Sequence, residues 1–287
     1  MSYIPVIIDG IVYGLQLSLL AVGITLIFGL GEILNLSHGE FAVIAGVTAA
    51  VLNGVDVNPF ISALVGVLLA GVFGLIIEKT ILISAYKATG ETRILSGMFI
   101  TLGLGFALHG YMANQFALVS YSVRLPIDTI EFLGMVFRPT NLVAGGISAI
   151  TLILLMLLLK YTYFGKAVRS VVQNEIGAQL CGINPSRIRM IIFFIGTMLA
   201  GLAGIMQGLS STIEPEVGVQ LTIFAIIVSI VGGVRSVTGT IVAGILLGVV
   251  YSLVSFLIGT YIATIFFLLA AALTIVFRPE GLLGHKV

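Results

Sequence analysis

Residues 6–30 read VIIDGIVYGLQLSLLAVGITLIFGL, an apolar run in which the only charged residue is Asp9, near its start. The hydrocarbon core of a bilayer is about 30 Å thick, which a helix crosses in about 20 residues. This run is therefore long enough to span it. Runs of the same kind recur at about 59–84, 94–118, 141–159, 188–209, 237–258 and 261–277. Two shorter runs, at about 41–52 and 221–231, fall short of a comfortable crossing. They read as broken or partial helices, which survive at membrane depth only when buried in protein or set against a cavity. The pattern predicts an all-α, polytopic helical bundle of about eight to nine membrane segments. It forms a single transmembrane domain over residues 1–287.

Composition agrees. Only 9% of the 287 residues are charged and 59% are hydrophobic, with a mean hydropathy of +1.22, against roughly 25% charged residues in an ordinary soluble domain. A soluble enzyme, a nucleic-acid binder and a disordered chain are all excluded. Residues 1–5, MSYIP, lack a basic leader region and a cleavage site, so the first span is expected to be retained. The single cysteine, Cys181, excludes an intramolecular disulfide and is expected to be a small buried residue.

Lys and Arg set the orientation. Lys79, Lys87 and Arg93 flank one loop, and Lys160, Lys166, Arg169, Arg187 and Arg189 flank another. Arg235 lies in a third, and Arg278 and Lys286 in the tail. Eleven of the 13 basic residues thus fall on one side, leaving Arg124 and Arg138 on the other with Asp128, Glu131, Glu214 and Glu216. The expected topology has the N-terminus outside and the C-terminus cytoplasmic. Two stripes of small residues recur every four positions, Gly196-Ala200-Gly204-Gly208 and Thr240-Gly244-Gly248-Ser252. They predict close helix packing, within the chain or between subunits. A faint internal similarity relates Gln16-Leu17-Ser18 to Gln220-Leu221-Thr222.

Catalytic chemistry finds little support. His38, His109 and His285 show no metal-ligand spacing, no G-x-S-x-G occurs, and Gly165-Lys166 fails as a phosphate loop. The chain is read as a non-enzyme that binds no cofactor. Three segments stand out. In the loop 165–187, Ser170 and Gln173 have capping-box spacing, Val171, Ala178 and Cys181 lie near helical spacing, and Gly182 reads as a stop. Asn184-Pro185 would start the next span. The loop helix either lies on the membrane surface or docks a soluble partner. Asn35-Leu36-Ser37-His38-Gly39-Glu40 is a polar cluster at a helix break. It is either a pore or gate element or a cap at the inner interface, where Glu40 suits the helix dipole. Gly232-Gly233 opens a glycine-rich turn, which by itself signals only backbone freedom.

Taken in order, several of these motifs resemble one family. They are Asn35 to Glu40 (N-x-A-H-G-E in the family), Thr101-Leu102-Gly103-Leu104, Gly165-Lys166-Ala167-Val168-Arg169, Leu180-Cys181-Gly182-Ile183-Asn184, the Gly232-Gly233 turn, and the tail Phe277-Arg278-Pro279-Glu280-Gly281-Leu282-Leu283-Gly284. Over nearly its whole length the chain is similar to the permeases of high-affinity branched-chain amino acid ABC importers, in particular the shorter of the two paired permeases. The resemblance implies a multi-pass protein of the bacterial inner membrane. It would pair with a second, homologous permease, dock two cytoplasmic ATPase subunits that hold ATP and Mg, and receive solute from a periplasmic binding protein. No nucleic acid is involved. It also implies ATPase coupling through Gln173, Asn174, Glu175, Ile176, Gly177, Ala178, Gln179, Leu180 and Gly182, and pathway or gate roles for Asn35, His38, Gly39, Glu40, Gly232 and Gly233.

The sequence departs from the family at Ile176 and Gly177, where the importer motif has Glu and Ala. It keeps Ala178 and Gly182. Docking by shape and apolar contact is thus expected in place of a salt bridge. Arg235 and Thr238 stand where Gly and Pro are common, and 81–87 lacks the usual basic, proline-containing run. Relatives with similar motifs carry urea or short amides as an alternative to branched-chain or related apolar amino acids. An ion-coupled secondary transporter, the reading from another class, would need buried acids. Asp9, Glu32, Glu40 and Glu78 are all expected near span ends.

Overall fold

The computed structural model describes residues 3–116, 119–127, 130–132, 135–278 and 280–283. Leu118, Asp128, Pro279, Gly284, His285 and Lys286 lie outside the described residues. Eleven helices follow in order: α1 (Ile4–Gly31), α2 (His38–Gly54), α3 (Pro59–Thr80), α4 (Glu91–Phe116), α5 (Pro139–Tyr161), α6 (Tyr163–Gln173), α7 (Glu175–Leu180), α8 (Pro185–Ser210), α9 (Gly218–Gly232), α10 (Val237–Leu257) and α11 (Thr260–Phe277). Short 3-10 turns, Leu82–Lys87 and Pro215–Val217, precede α4 and α9. The hairpin β1 (Ile130–Phe132) and β2 (Met135–Phe137) sits between α4 and α5. Among the described residues, eight helices are long and apolar enough to cross a membrane, α9 being counted with its preceding turn. With α2, at 17 residues, the described residues hold nine, in line with the expected bundle.

α1 is the central helix, buried along most of its length. In lipid no hydrophobic force drives helices together, so small residues and interhelical hydrogen bonds do the packing. Both small-residue stripes act in this way inside the chain. On α10, Gly244 and Gly248 meet the backbone of Gly14 on α1, and Gly204 of α8 lies on Ala42 of α2. Ser18 Oγ lies 3.2 Å from the Ile241 carbonyl, and Ser252 Oγ donates to Val6 O at 2.9 Å. A buried hydroxyl trio, Thr25 with Ser229 (2.8 Å) and Thr240 (2.9 Å), joins α1, α9 and α10. The outer helices α3, α4 and α11 expose apolar side chains such as Phe60, Phe99, Phe106 and Phe277.

One end of the bundle collects the basic loops. There the loop expectation needs correcting. The helix does not start at Ser170, which lies inside α6 and back-bonds to Lys166 O at 3.0 Å. α6 starts earlier, because Thr162 accepts the Gly165 N–H. α7 is a separate helix capped by Asn174, whose side chain accepts from Gly177 N at 2.8 Å. A Ser four residues from a free carbonyl satisfies itself within a helix as readily as it caps one. Val171 and Ala178 are buried as expected, but Cys181 is exposed: it is the C-cap residue of α7, past the last inward-facing turn. Gly182 has φ +81 and ends the element, and Asn184 caps α8 through Arg187 N.

Candidate functional site

The polar cluster is not a loop at the membrane surface. After α1, the chain turns at Glu32, whose φ of +52 is left-handed, and residues 33–37 run back into the bundle. Thr101, halfway along α4, receives them. Its buried hydroxyl accepts the Leu36 N–H at 3.0 Å and lies 3.1 Å from Leu34 O. Asn35 closes a local turn, its Oδ1 accepting from Ser37 N (3.1 Å) and Ser37 Oγ (2.7 Å). His38 then starts α2 deep inside, its Nε2 donating to the carbonyl of Leu20, midway along α1, at 3.1 Å. Glu40 lies in the first turn of α2, at a helix end as expected, but that end is enclosed by the bundle, Glu40 being 1% exposed. The sequence shows a helix start, but the re-entrant path of 33–37 depends on the Thr101 hydroxyl on a distant span.

α9 begins at the same depth. Gly39 N donates to Thr222 Oγ1 at 2.8 Å, and Gly39 packs directly on the Gly218 carbonyl. The N-terminal ends of two short helices, about 26 Å and 22 Å long, therefore abut inside the protein and run in opposite directions. The Glu40 carboxylate lies against Gly218, the first residue of α9. It thus faces the positive ends of two helix dipoles, which favour a negative group there. His109 of α4 comes within 3.6 Å of it through Nδ1. Among the described residues, neither Glu40 oxygen accepts a hydrogen bond, and Asn35 Nδ2 and His38 Nδ1 are likewise buried without a partner. Paired half-helix N-termini with unsatisfied polar groups are the device transporters use at membrane depth. Sequence reading missed Gly218, Thr222 and His109 as members of this group. The signal was there in His109, a lone ionisable residue within an apolar run.

At the basic end, Glu32 gathers three elements. Its carboxylate pairs with Arg235 of the α9–α10 turn at 3.2 Å and with Arg93 of α4 at 4.0 Å. Gly232 and Gly233 belong here, away from Asn35–Glu40. The tail folds onto their turn, with Leu282 N donating to Val231 O at 2.8 Å and Gly281 packed on Gly233. α7 turns Ala178 inward and presents Ile176 (72% exposed) and Leu180 (85% exposed) outward, beside exposed Gln173, Asn174 and Gln179. Glu175 pairs with Arg189 of α8 at 2.8 Å. The Arg189 guanidinium lies over the Tyr86 ring at 4.9 Å, and Tyr86 packs against Gly31 at the end of α1. Burial, with Glu78 nearby, pushes the Tyr86 phenol above its ordinary pKa. It stays neutral and keeps its proton. A continuous line of contacts thus runs from α7 to the residue preceding Glu32.

Among the described residues no cluster of His, Cys, Asp and Glu is arranged to hold a metal ion. Comparison with known proteins gives the group to which this arrangement belongs. Residues 6–277 match the family described as branched-chain amino acid transport system permease component. The chain is similar to the high-affinity branched-chain amino acid transport system permease protein LivH of Escherichia coli, 24% identical, covering 96% of this chain and 94% of the relative. It is also similar to a probable branched-chain amino acid transport permease of Methanocaldococcus jannaschii, 27% identical over 97% and 92% of the two chains. A third relative, the ribose import permease protein RbsC of Escherichia coli, is 25% identical over 80% and 72%.

Proposed function

The chain belongs to the permease components of branched-chain amino acid transport systems, and from that premise we propose that it moves branched-chain amino acids through the bacterial inner membrane as one half of an ATP-driven importer pore. A second permease completes the pore, two ATPase subunits bind at the basic, cytoplasmic end, and a periplasmic binding protein delivers solute at the other. The observation that carries this reading is α7. A six-residue helix at the basic end holds two large apolar side chains, Ile176 and Leu180, out to solvent. Exposed apolar residues on a rigid, capped element mark a protein-docking surface. The chain has no phosphate-binding loop of its own, so the energy source is expected in the docked partner.

In this reading, closure of the ATPase pair pulls α7. Glu175, Arg189 and Tyr86 carry the displacement to the end of α1, where Glu32 links it to α4 and to the α9–α10 turn. The re-entrant segment and the α2–α9 junction then act as the gate, with Asn35, His38, Gly39 and Glu40 at its centre. Gly232 and Gly233 form the close-packed turn behind it. Selectivity resides in the binding protein, which fits the scarcity of charge in the bundle. A ribose permease among the relatives makes the solute the point to test. The cognate binding protein should retain leucine, isoleucine and valine in a calorimetric titration. Retention of urea, a short amide or a sugar instead would move the solute while leaving the importer. Co-purification of the chain with the ATPase subunits encoded beside it should be abolished by Leu180→Asp. An intact complex with that variant would remove α7 from the docking surface.

A further inference from the structure

We propose that the crevice between α1, α5, α6 and α10 at the basic end is a binding site for an anionic phospholipid. Its phosphate would meet Lys160 and Arg169 at the rim, and an acyl chain would lie along the apolar wall. This does not depend on the identity of the solute.

The crevice has a volume of about 720 Å³. Its wall is apolar, formed by Leu26 and Leu30 of α1, Met156 of α5, and Val168 and Val172 of α6. Gly29 opens onto it, and a β-carbon there would touch nothing within 4 Å. Its rim carries Lys160, Arg169 and Arg235, and none of its lining residues is acidic. Arg235 is already paired with Glu32, which leaves Lys160 and Arg169 as the rim cations without an acidic partner among the described residues. The exposed Arg169 guanidinium donates from Nη1 to the Leu159 carbonyl at the end of α5, and its planar fork carries further N–H donors suited to a phosphate. The first residues of α10, Val237 and Thr238, also line the rim and add the positive end of a helix dipole.

α6 fits the same picture. Val168 and Val171 are buried while Lys166 and Arg169 face outward. This is the pattern of a helix lying in the plane of the headgroups. Basic pockets between membrane helices take anionic headgroups. An amino acid would present both charges to one spot, whereas this site separates a long apolar wall from a purely cationic rim. Only an amphiphile complements both.

The test is native mass spectrometry on the full chain, purified in detergent and delipidated. Phosphatidylglycerol, phosphatidylcholine with the same acyl chains, and glycerol 3-phosphate as headgroup alone are titrated in turn. Phosphatidylglycerol should bind about 30-fold more tightly than phosphatidylcholine, from the attraction of two interfacial cations. Lys160→Gln/Arg169→Gln should erase that preference. Lys79→Gln/Lys87→Gln makes the same charge change at the same end, outside the crevice, and should keep it. Gly29→Leu, which fills the crevice and leaves the cations, should weaken phosphatidylglycerol binding. Equal binding of the two lipids overturns the proposal, as does equal loss in both double variants. So does displacement of the lipid by glycerol 3-phosphate, which would make the site one for free anions.

Discussion

The junction of α2 and α9 makes Gly39→Ala a severe substitution at a position that looks like an ordinary helix start. A β-carbon there would overlap the Gly218 carbonyl oxygen and come within 2.7 Å of Thr222 Oγ1 and 2.8 Å of Thr222 N. Two of these atoms are backbone, and the third belongs to a β-branched side chain with little rotamer freedom. The helices must therefore separate, which stretches the 2.8 Å bond from Gly39 N to Thr222. Overpacking of this kind costs about 1–3 kcal/mol, and loss of a buried hydrogen bond adds about 1 kcal/mol. The better helix propensity of Ala returns up to about 1 kcal/mol. The net is roughly 1–4 kcal/mol, or a fall of roughly 2–16 °C in the unfolding midpoint. Gly103→Ala is the control. It lies mid-helix in α4 with nothing within 4 Å of the added carbon, so it should gain roughly 0.5–1 kcal/mol. Circular dichroism on the detergent-solubilised chain reads both. If Gly39→Ala melts with the parent protein, or no lower than Gly103→Ala, the two helix ends do not abut as described.

Other outcomes follow from single contacts. Thr101→Val leaves the part-buried Leu36 N–H without its acceptor and should destabilise by about 0.5–1.5 kcal/mol, while Thr101→Ser should restore both the melting midpoint and uptake. Glu175→Gln and Arg189→Gln break a pair whose carboxylate is 36% exposed. Their effect on stability should stay below about 1 kcal/mol, yet they should cut ATP-driven uptake while leaving ATP hydrolysis by the assembled importer in place. Arg189→Lys should not rescue transport, because an ammonium cannot reproduce the planar stack on Tyr86. Equal losses of folding and transport in these variants would make the α7–Tyr86 line purely structural.

The membrane spans were legible from apolar run length alone, and so was the break at Asn35–Glu40, because a carboxylate and an imidazole do not sit in lipid without protein around them. The partner set of that break was not legible. Thr101, His109, Gly218 and Thr222 lie 65, 69, 178 and 183 positions from Leu36, Glu40, Glu40 and Gly39, the residues they meet, so separate spans must first pack. No local pattern records that packing. The loop 165–187 gave the opposite lesson. Its stop at Gly182 and its cap at Asn184 are local and were readable, whereas the division into α6 and α7 turned on which of Ser170, Thr162 and Asn174 had a free N–H in reach. Cys181 came out exposed for a related reason, since one residue past a helix end the helical spacing no longer says which way a side chain faces.

In the proposed importer, this chain is a pathway whose energy comes through α7 from docked ATPases. Uptake of labelled leucine into proteoliposomes holding the chain, its partner permease, the ATPase subunits and the binding protein decides whether that is so. Uptake should require ATP in the aqueous compartment to which α7 is exposed, should ignore proton and sodium gradients, and should vanish with Ile176→Asp/Leu180→Asp while the chain remains folded. Uptake driven by an ion gradient without the ATPase subunits, or undiminished in that double variant, would contradict it.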